Sequence, residues 1–396
     1  MLPKKMLEWG TQRSIIREIF EEGKEMKKRL GESIVYDFSL GNPSIEPPKV
    51  FNESLIKLLS SENTTQIHGY TSNSGDIEAR MCIANYLSST YSCSEKWERV
   101  YMTCGATASL AITLHALINP GDEVVLIAPY FIEYTVFAEK AGAKLKIAEC
   151  KREDMQLDVP EIEKVITENT KAIIVNSPNN PSGVVYSESA IKELGKLLEK
   201  KEKEYSHPIY VISDEPYREL IYDGIKYPYI PSYIKNTISC YSFSKALSIP
   251  GERIGYICVT EKCEDGDNIF AGIQGAGRAL GYVCAPSLYQ KVIPYIIGTT
   301  VDVSIYDANR KLIYDIVTKA GFEALYPQGA FYLFVKNPDK DGKAFFETAK
   351  KYHILFVPSE QFGVEGYVRV AYCLDAKKIE DSRENWIELG KEYFGK

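Results

Sequence analysis

The chain has 396 residues, of which 45% are hydrophobic and 26% charged, and its net charge is -7 at pH 7. This composition is typical of a globular protein with a large domain and a smaller companion, and the acidic balance argues against nucleic-acid binding. Nine cysteines without a CxxC pair favour reduced thiols in the cytoplasm, four scattered histidines predict no metal site, and no segment is apolar over the length of a membrane span.

A loose anion-binding pattern lies before the first strongly apolar helical segment. Gly105, Ala106 and Thr107 precede an apolar run at residues 110–117. Small residues at a helix N-terminus expose backbone N–H groups and the positive end of the helix dipole. We predict that these three residues contact a phosphate, although a plain helix cap explains the same pattern.

Short apolar runs alternate with amphipathic segments between residues 123 and 260. We predict strands over residues 123–130, 172–177, 209–213, 238–242 and 255–260. These runs show little polar alternation, which is typical of strands that are buried on both faces beneath helices. The pattern predicts an α/β fold with a largely parallel central sheet.

Polar side chains follow three of these predicted strands: Asn180, Asp214 and Lys245. Ligands of parallel sheets collect beyond the carboxyl ends of the strands. A lysine can form an imine with the aldehyde of pyridoxal phosphate, and Arg253, eight residues later, can bind the phosphate through two hydrogen bonds. Ser242 offers a hydroxyl to the same phosphate. The segment therefore predicts a covalently bound pyridoxal phosphate.

The sequence also offers partners for the ring nitrogen, the phenolic oxygen and the ring face of this cofactor. Asp214 can pair with the ring nitrogen and keep the ring an electron sink, while Tyr217 and Asn180 can donate to the phenolic oxygen. Phe131 can stack over the ring. Taken singly, Asp214 can equally be a helix cap, Asn180 part of a turn and Phe131 an ordinary core residue.

The C-terminal part of the chain has a different pattern, with a soft boundary near residue 295. A long amphipathic segment over residues 301–320 precedes strand candidates at 331–336 and 367–373, which a helical segment at 343–352 separates. This mixture predicts a separate α+β unit.

In combination, these motifs resemble those of the class I and II aminotransferases of pyridoxal phosphate fold type I, the aspartate aminotransferase superfamily. The matching segments are residues 39–43 (SLGNP), 68–80, 180–183 (NPSG), 213–217 (SDEPY), 242–255, 327–332 (PQGAFY) and 367–370 (YVRV). The resemblance implies a large domain over residues 46–295 with a mostly parallel seven-stranded sheet. It also implies a small α+β domain built from residues 1–45 and 296–396, and a homodimer with a shared active site.

The resemblance also implies a role for each site residue. Lys245, Asp214 and Tyr217 are the expected catalytic residues. The α-carboxylate of the substrate is expected to bind Arg369 beside Gly41 and Asn180. The expected cofactor-binding residues are Tyr70 from the second subunit together with Gly105, Ala106, Thr107, Phe131, Asn180, Asp214, Tyr217, Ser242, Lys245 and Arg253.

We expect a ping-pong transfer of an amino group from an L-amino acid, aspartate as the first choice, to a 2-oxo acid such as 2-oxoglutarate. Arg278 is a candidate for binding a distal carboxylate across the dimer, with a surface role as the alternative. Three positions depart from the pattern of many relatives: Phe131 replaces Trp or Tyr, Tyr134 replaces a histidine behind the aspartate, and Glu252 replaces Trp. These departures leave an aromatic or alanine donor open.

Two other functions share these cofactor motifs. A carbon-sulfur β-lyase of the same fold differs only in what leaves the substrate β-carbon. A non-catalytic regulator that binds pyridoxal phosphate would carry a DNA-binding domain, and we do not expect one to fit before Gly41.

Overall fold

The computed structural model describes residues 2–11, 15–61, 64–339 and 341–395. The strands are β1 Tyr36–Asp37, β2 Val100–Thr103, β3 Glu123–Ala128, β4 Lys144–Glu149, β5 Thr170–Asn176, β6 Tyr210–Asp214, β7 Thr237–Ser242, β8 Gly255–Val259, β9 Ala324–Leu325, β10 Tyr332–Lys336, β11 Ile354–Leu355, β12 Val357–Pro358 and β13 Tyr367–Ala371. The α-helices are α1 Lys4–Thr11, α2 Ile15–Leu30, α3 Lys49–Leu59, α4 Thr64–His68, α5 Ile77–Tyr91, α6 Ala106–Leu117, α7 Glu133–Ala141, α8 Val159–Val165, α9 Glu188–Tyr205, α10 Phe243–Ala246, α11 Gly266–Ala279, α12 Ser287–Ile296, α13 Val303–Lys319, α14 Gly342–Lys351, α15 Ala376–Asp381 and α16 Arg383–Phe394.

The largest sheet has seven strands in the order β2-β8-β7-β6-β5-β3-β4. Its pairs are parallel except that β8 runs antiparallel to both β2 and β7. Successive side chains of β3 belong to different hydrophobic clusters on the two faces of the sheet. Val125 clusters with residues of α8 and α9, whereas Val124 clusters with residues of α6, α7 and α11. Helices therefore cover both faces, and the predicted α/β fold with a mostly parallel seven-stranded sheet is confirmed.

The five predicted strands of this sheet lie at β3, β5, β6, β7 and β8. The sequence analysis did not predict β2 and β4. Three of the six residues of β4 are charged and three are exposed, because this strand lies at the sheet edge. Such a strand lacks the apolar run by which the others were recognised, and β2 has only four residues.

A second, antiparallel sheet has the order β12-β13-β10-β9, and β1 pairs in parallel with β11. The predicted elements at residues 301–320, 331–336, 343–352 and 367–373 correspond to α13, β10, α14 and β13. One core joins residues near both ends of the chain, including Ile19 and Trp386. The smaller α+β unit is thus present, while the boundaries at residues 45 and 295 stay a prediction.

Two general features concern the described residues. None of their helices combines the length and apolar character that a membrane crossing requires. In the same parts of the chain, no three His, Cys, Asp or Glu side chains cluster as metal ligands would.

Candidate active site

A cavity of about 270 Å³ opens where the carboxyl ends of β5, β6 and β7 meet the second sheet. The large sheet contributes the residues that follow these strands, and β10 and β13 contribute one residue each. The lining consists of Ile16, Gly41, Ala106, Thr107, Leu110, Phe131, Asn176, Asn180, Asp214, Pro216, Tyr217, Ser242, Ser244, Lys245, Pro250, Arg253, Tyr332 and Arg369. Most of the predicted site residues therefore share one cavity.

Lys245 lies in the short helix α10 directly after β7, so its amine extends into the cavity. The Nζ atom donates a hydrogen bond of 2.8 Å to the carbonyl of Gly41. Burial, with smaller contributions from Arg369 and Arg253, lowers the pKa of this amine to about 8. A useful fraction of Lys245 is therefore neutral near pH 8 and able to act as a nucleophile or base.

Asp214 ends β6 and has two unequal carboxylate oxygens. Its Oδ2 accepts a hydrogen bond of 2.5 Å from the Tyr134 hydroxyl, and Asn176 Nδ2 lies 3.5 Å from the same oxygen. Its Oδ1 is buried and has no hydrogen-bond partner among the described residues. Burial raises the pKa of this carboxyl to about 7, although the hydrogen bond from Tyr134 opposes that increase. Such an oxygen suits a cationic N–H donor in the cavity.

One end of the cavity has the character of an anion site. Gly105 precedes α6 with φ of +88°, a conformation that favours glycine, and a Cβ there would lie 3.1 Å from Arg253 Nη2. The Arg253 guanidinium thus faces the N-terminus of α6, where the small residues Ala106 and Thr107 also line the cavity. The arrangement suits a phosphate.

The hydroxyl of Ser242 has a local role that the sequence analysis did not foresee. It caps α10 by accepting a hydrogen bond of 3.1 Å from the Ser244 amide, and it donates one of 2.5 Å to Ser244 Oγ. Ser244 also lines the cavity. Because the Ser244 hydroxyl accepts the hydrogen bond from Ser242, its own proton is available for donation to an anion.

Arg369 projects from β13 and is held on several sides. Nη1 donates to Asn180 Oδ1 at 2.9 Å and Nη2 to the Ser39 carbonyl at 2.6 Å. The guanidinium lies over the Tyr332 ring, 4.6 Å from its centre, and Nε has no partner among the described residues. A fixed, buried guanidinium of this kind can bind a carboxylate.

Three aromatic residues also line the cavity: Phe131, Tyr217 and Tyr332. The hydroxyls of Tyr217 and Tyr332 lie 2.8 Å apart. The Phe131 ring packs edge-on against Tyr134, with centroids 5.6 Å apart. Phe131 and Asp214 both line the cavity, so the Phe131 ring is available to stack on a flat ring bound there.

Three of the predicted residues, Tyr70, Arg278 and Gly105, do not line the cavity of this chain. Tyr70 is 99% exposed, and Arg278, near the end of α11, is exposed with no ion pair to another described residue. Gly105 does not line the cavity but lies behind it, against Arg253. The expectations for Tyr70 and Arg278 both invoke a second subunit.

Sequence reasoning missed several residues of the site. Asn176 ends β5, so the strand-end rule that selected Asp214 could have found it. Tyr332 lies within the quoted PQGAFY segment, which marked it without giving it a role. Ile16, on α2, carries no such signal, since an apolar residue on an amphipathic helix is ordinarily a core residue.

The donor set fits pyridoxal phosphate. The Lys245 amine, whose pKa is lowered, would meet the aldehyde, and the α6 N-terminus with Arg253 would hold the phosphate. Oδ1 of Asp214, which has no partner among the described residues, would accept from a protonated ring nitrogen. The fold and this site define the class of pyridoxal-phosphate-dependent enzymes of fold type I.

Comparisons with known proteins give the family. A sequence profile of the family "Aminotransferase class I and II" matches residues 33–384. A probable aspartate aminotransferase of Methanocaldococcus jannaschii is 31% identical over 96% of this chain and 97% of its own length, and an aspartate aminotransferase of Pyrococcus horikoshii is 28% identical over 93% and 92%. The crystal structure of an amino transferase from Eubacterium rectale is 46% identical, covers 100% of this chain and 99% of its own, and has a TM-score of 0.97.

The chain belongs to the class I and II aminotransferases. Members of this family use pyridoxal phosphate, and the enzyme is a transaminase that acts on amino acids and 2-oxo acids.

Proposed function

We propose that the enzyme transfers the amino group of an L-amino acid, with aspartate as the first candidate, to a 2-oxo acid such as 2-oxoglutarate in a ping-pong reaction. The observation that carries this proposal is the placement of Lys245, Asp214 and Arg369 around one cavity. The names of the Methanocaldococcus and Pyrococcus relatives support aspartate as the donor.

Pyridoxal phosphate, when bound, withdraws electrons from the substrate α-carbon and stores the amino group between the two half-reactions. Lys245 holds the cofactor at rest and then moves the proton from the α-carbon with its Nζ atom. Its pKa of about 8 supports this base function. Asp214 pairs with the ring nitrogen, and Tyr217 and Asn180 donate to the phenolic oxygen.

Arg369 binds the α-carboxylate of the substrate beside Gly41 and Asn180. Its contacts with Ser39, Asn180 and the Tyr332 ring fix the guanidinium before substrate arrives. A carboxylate held by Arg369 near the plane of the bound cofactor ring would leave the α-carbon–hydrogen bond exposed to Lys245. The positioning therefore favours proton removal over decarboxylation.

A second carboxylate on the substrate needs a further cation. Among the described residues that line the cavity, the two arginines are Arg253, assigned to the phosphate, and Arg369, assigned to the α-carboxylate. We place Arg278 of the partner subunit at the distal carboxylate, which its exposure and its lack of an ion pair within the described chain support.

A homodimer is part of the proposal. Tyr70, at 99% exposure, is available to contact the phosphate of a neighbouring site, as the resemblance implies. All nine cysteines are free thiols, which supports the cytoplasm as the location.

A spectroscopic screen tests the substrate assignment. The holoenzyme is mixed with single amino acids, and conversion of the cofactor to its pyridoxamine form is followed. Arg369→Ala should raise the apparent KM for every amino acid by about 10- to 100-fold, since a charge-assisted hydrogen bond is lost. Arg278→Ala should affect aspartate and glutamate alone. Release of pyruvate and ammonia from cystathionine without a 2-oxo acid would contradict transamination as the main reaction.

Subunit mixing tests the dimer. Lys245→Ala and Tyr70→Ala homodimers should each be nearly inactive. In a mixed dimer, one site contains both substitutions and the other contains neither, so activity should return on mixing. Activity that stays absent although mixed dimers form would remove Tyr70 from the neighbouring site.

A further inference from the structure

Tyr134 lies behind Asp214 and has no part in the roles assigned above. We propose that Tyr134 is a positioning residue for the cofactor ring: its hydroxyl holds Oδ2 of Asp214, so that Oδ1 alone faces the ring nitrogen. This inference rests on the proposed role of Asp214.

The contacts around the carboxylate are unequal in a way that supports this role. Tyr134 Oη donates to Oδ2 at 2.5 Å, while Asn176 Nδ2 donates to the backbone carbonyl of Asp214 at 2.9 Å. Both the side chain and the main chain of Asp214 are thus fixed by hydrogen bonds from neighbouring elements. Oδ1, the oxygen that has no hydrogen-bond partner among the described residues, belongs to a residue that lines the cavity.

The donor is a phenol that stays neutral. Burial, followed by the adjacent Asp214 charge, raises the pKa of Tyr134 well above its usual value. A neutral hydroxyl donates to the carboxylate without supplying a competing positive charge. The negative charge of Asp214 is therefore not neutralised by Tyr134. It remains available to pair with a protonated ring nitrogen.

The same residue also packs against Phe131, the residue expected to stack on the cofactor ring. The Tyr134 ring lies 5.6 Å from that of Phe131 at an angle of 86°, an edge-to-face contact. One side chain on α7 thus contacts both the partner expected for the ring nitrogen and the aromatic residue expected to stack. Tyr134→Phe separates the two contacts, because it removes the hydroxyl and keeps the aromatic ring.

The test compares the binding of two cofactors to the cofactor-free protein. One is pyridoxal phosphate, and the other is an analogue whose ring nitrogen is replaced by carbon. Tyr134→Phe should weaken the affinity for pyridoxal phosphate by about tenfold, as expected for a lost hydrogen bond to a charged group. The affinity for the analogue should not change, since it has no ring nitrogen to pair with Asp214. A purely structural role would weaken both.

Two further variants complete the test. Tyr101→Phe is the matched control, because Tyr101 is buried in the same core and donates to the Tyr282 carbonyl at 2.9 Å; it should leave both affinities unchanged. In an Asp214→Asn background, Tyr134→Phe should have no additional effect on pyridoxal phosphate binding.

The outcomes separate this inference from the proposed function. If the wild-type protein gives no borohydride-stable pyridoxyl adduct at Lys245, the proposed function fails. If that adduct forms but Tyr134→Phe keeps wild-type affinity, or loses affinity for both cofactors equally, the role of Tyr134 is wrong and the proposed function stands.

Discussion

The hydroxyl of Tyr332, on β10, lies 2.8 Å from the hydroxyl of Tyr217, which follows β6. The Arg369 guanidinium covers the Tyr332 ring at 4.6 Å. One aromatic side chain of the second sheet therefore contacts both the proposed carboxylate-binding residue and the proposed partner of the cofactor's phenolic oxygen. Tyr332 therefore connects the proposed carboxylate site at Arg369 directly with the proposed contact of Tyr217 to the cofactor.

Tyr332→Phe tests this connection. A hydrogen bond from Tyr332 to Tyr217 would make the Tyr217 hydroxyl a stronger donor to the phenolic oxygen. Without it, that oxygen holds its proton more tightly, so the apparent pKa of the bound cofactor's visible absorption should rise. Tyr217→Phe, which removes the donor itself, should raise it further. A titration of the absorbance spectrum measures all three proteins, and equal pKa values for wild type and Tyr332→Phe would refute the connection.

Gly41→Ala should lower the stability of the protein and displace the carbonyl that accepts from the Lys245 amine. A Cβ at this position would lie 2.0 Å from Tyr332 Oη, so Tyr332 or the segment around residue 41 must move. Overpacking of this kind costs about 1–3 kcal/mol. The Gly41 carbonyl that accepts from Lys245 would move as well. Denaturant unfolding measures the stability loss, and retention of wild-type stability together with wild-type affinity for amino acids would contradict the close approach.

Lys245→Met should stabilise the cofactor-free protein at pH 7. Burial, the largest contribution, lowers the folded-state pKa of Lys245 from 10.5 to about 8, so holding its charged form in the folded state is unfavourable below pH 8. We expect a gain of about 1–3 kcal/mol at pH 7, discounted for partial exposure. The difference should shrink as pH rises from 8 to 10.5, where the unfolded chain alone still binds this proton. Unfolding of both proteins across this pH range measures it, and a constant difference would contradict the lowered pKa.

Arg218→Met should be strongly destabilising. Arg218 and Glu215 are buried at 2% and 0% exposure, with Nη1 donating to Glu215 at 2.9 Å. Removing the arginine leaves a buried carboxylate uncompensated, at a cost of about 3–5 kcal/mol. The double variant with Glu215→Gln should recover part of this loss. Free energies of unfolding from denaturant titration check both, and a double variant no more stable than the single one would contradict the argument.

The ends of parallel strands made much of the site predictable. Asn180, Asp214 and Lys245 follow apolar runs, and chain geometry brings the carboxyl ends of neighbouring parallel strands together. The same reasoning identified the fold class, since both faces of such strands must be covered. Local sequence was sufficient for β3, β5, β6, β7 and β8, which have five to seven residues each and are buried along nearly all of their length.

Contacts between distant segments were not predictable in this way. Tyr332 and Ile16 reach the cavity through the packing of the second sheet and of α2, and neither position differs locally from a core residue. The bond from Tyr134 to Asp214 joins residues that are 80 positions apart. The capping role of Ser242 depends on where α10 begins, which a four-residue helix does not reveal through periodicity.

Arg369 donates to the Ser39 carbonyl across 330 positions of sequence, whereas the last strand of the large sheet ends at residue 259. A ribosome making this enzyme therefore finishes the segments that contain Lys245, Asp214 and residues 105–107 well before it reaches Arg369. The nascent chain can fold the large sheet with its cofactor-binding residues first. The proposed substrate-binding arginine is added only in the last part of translation.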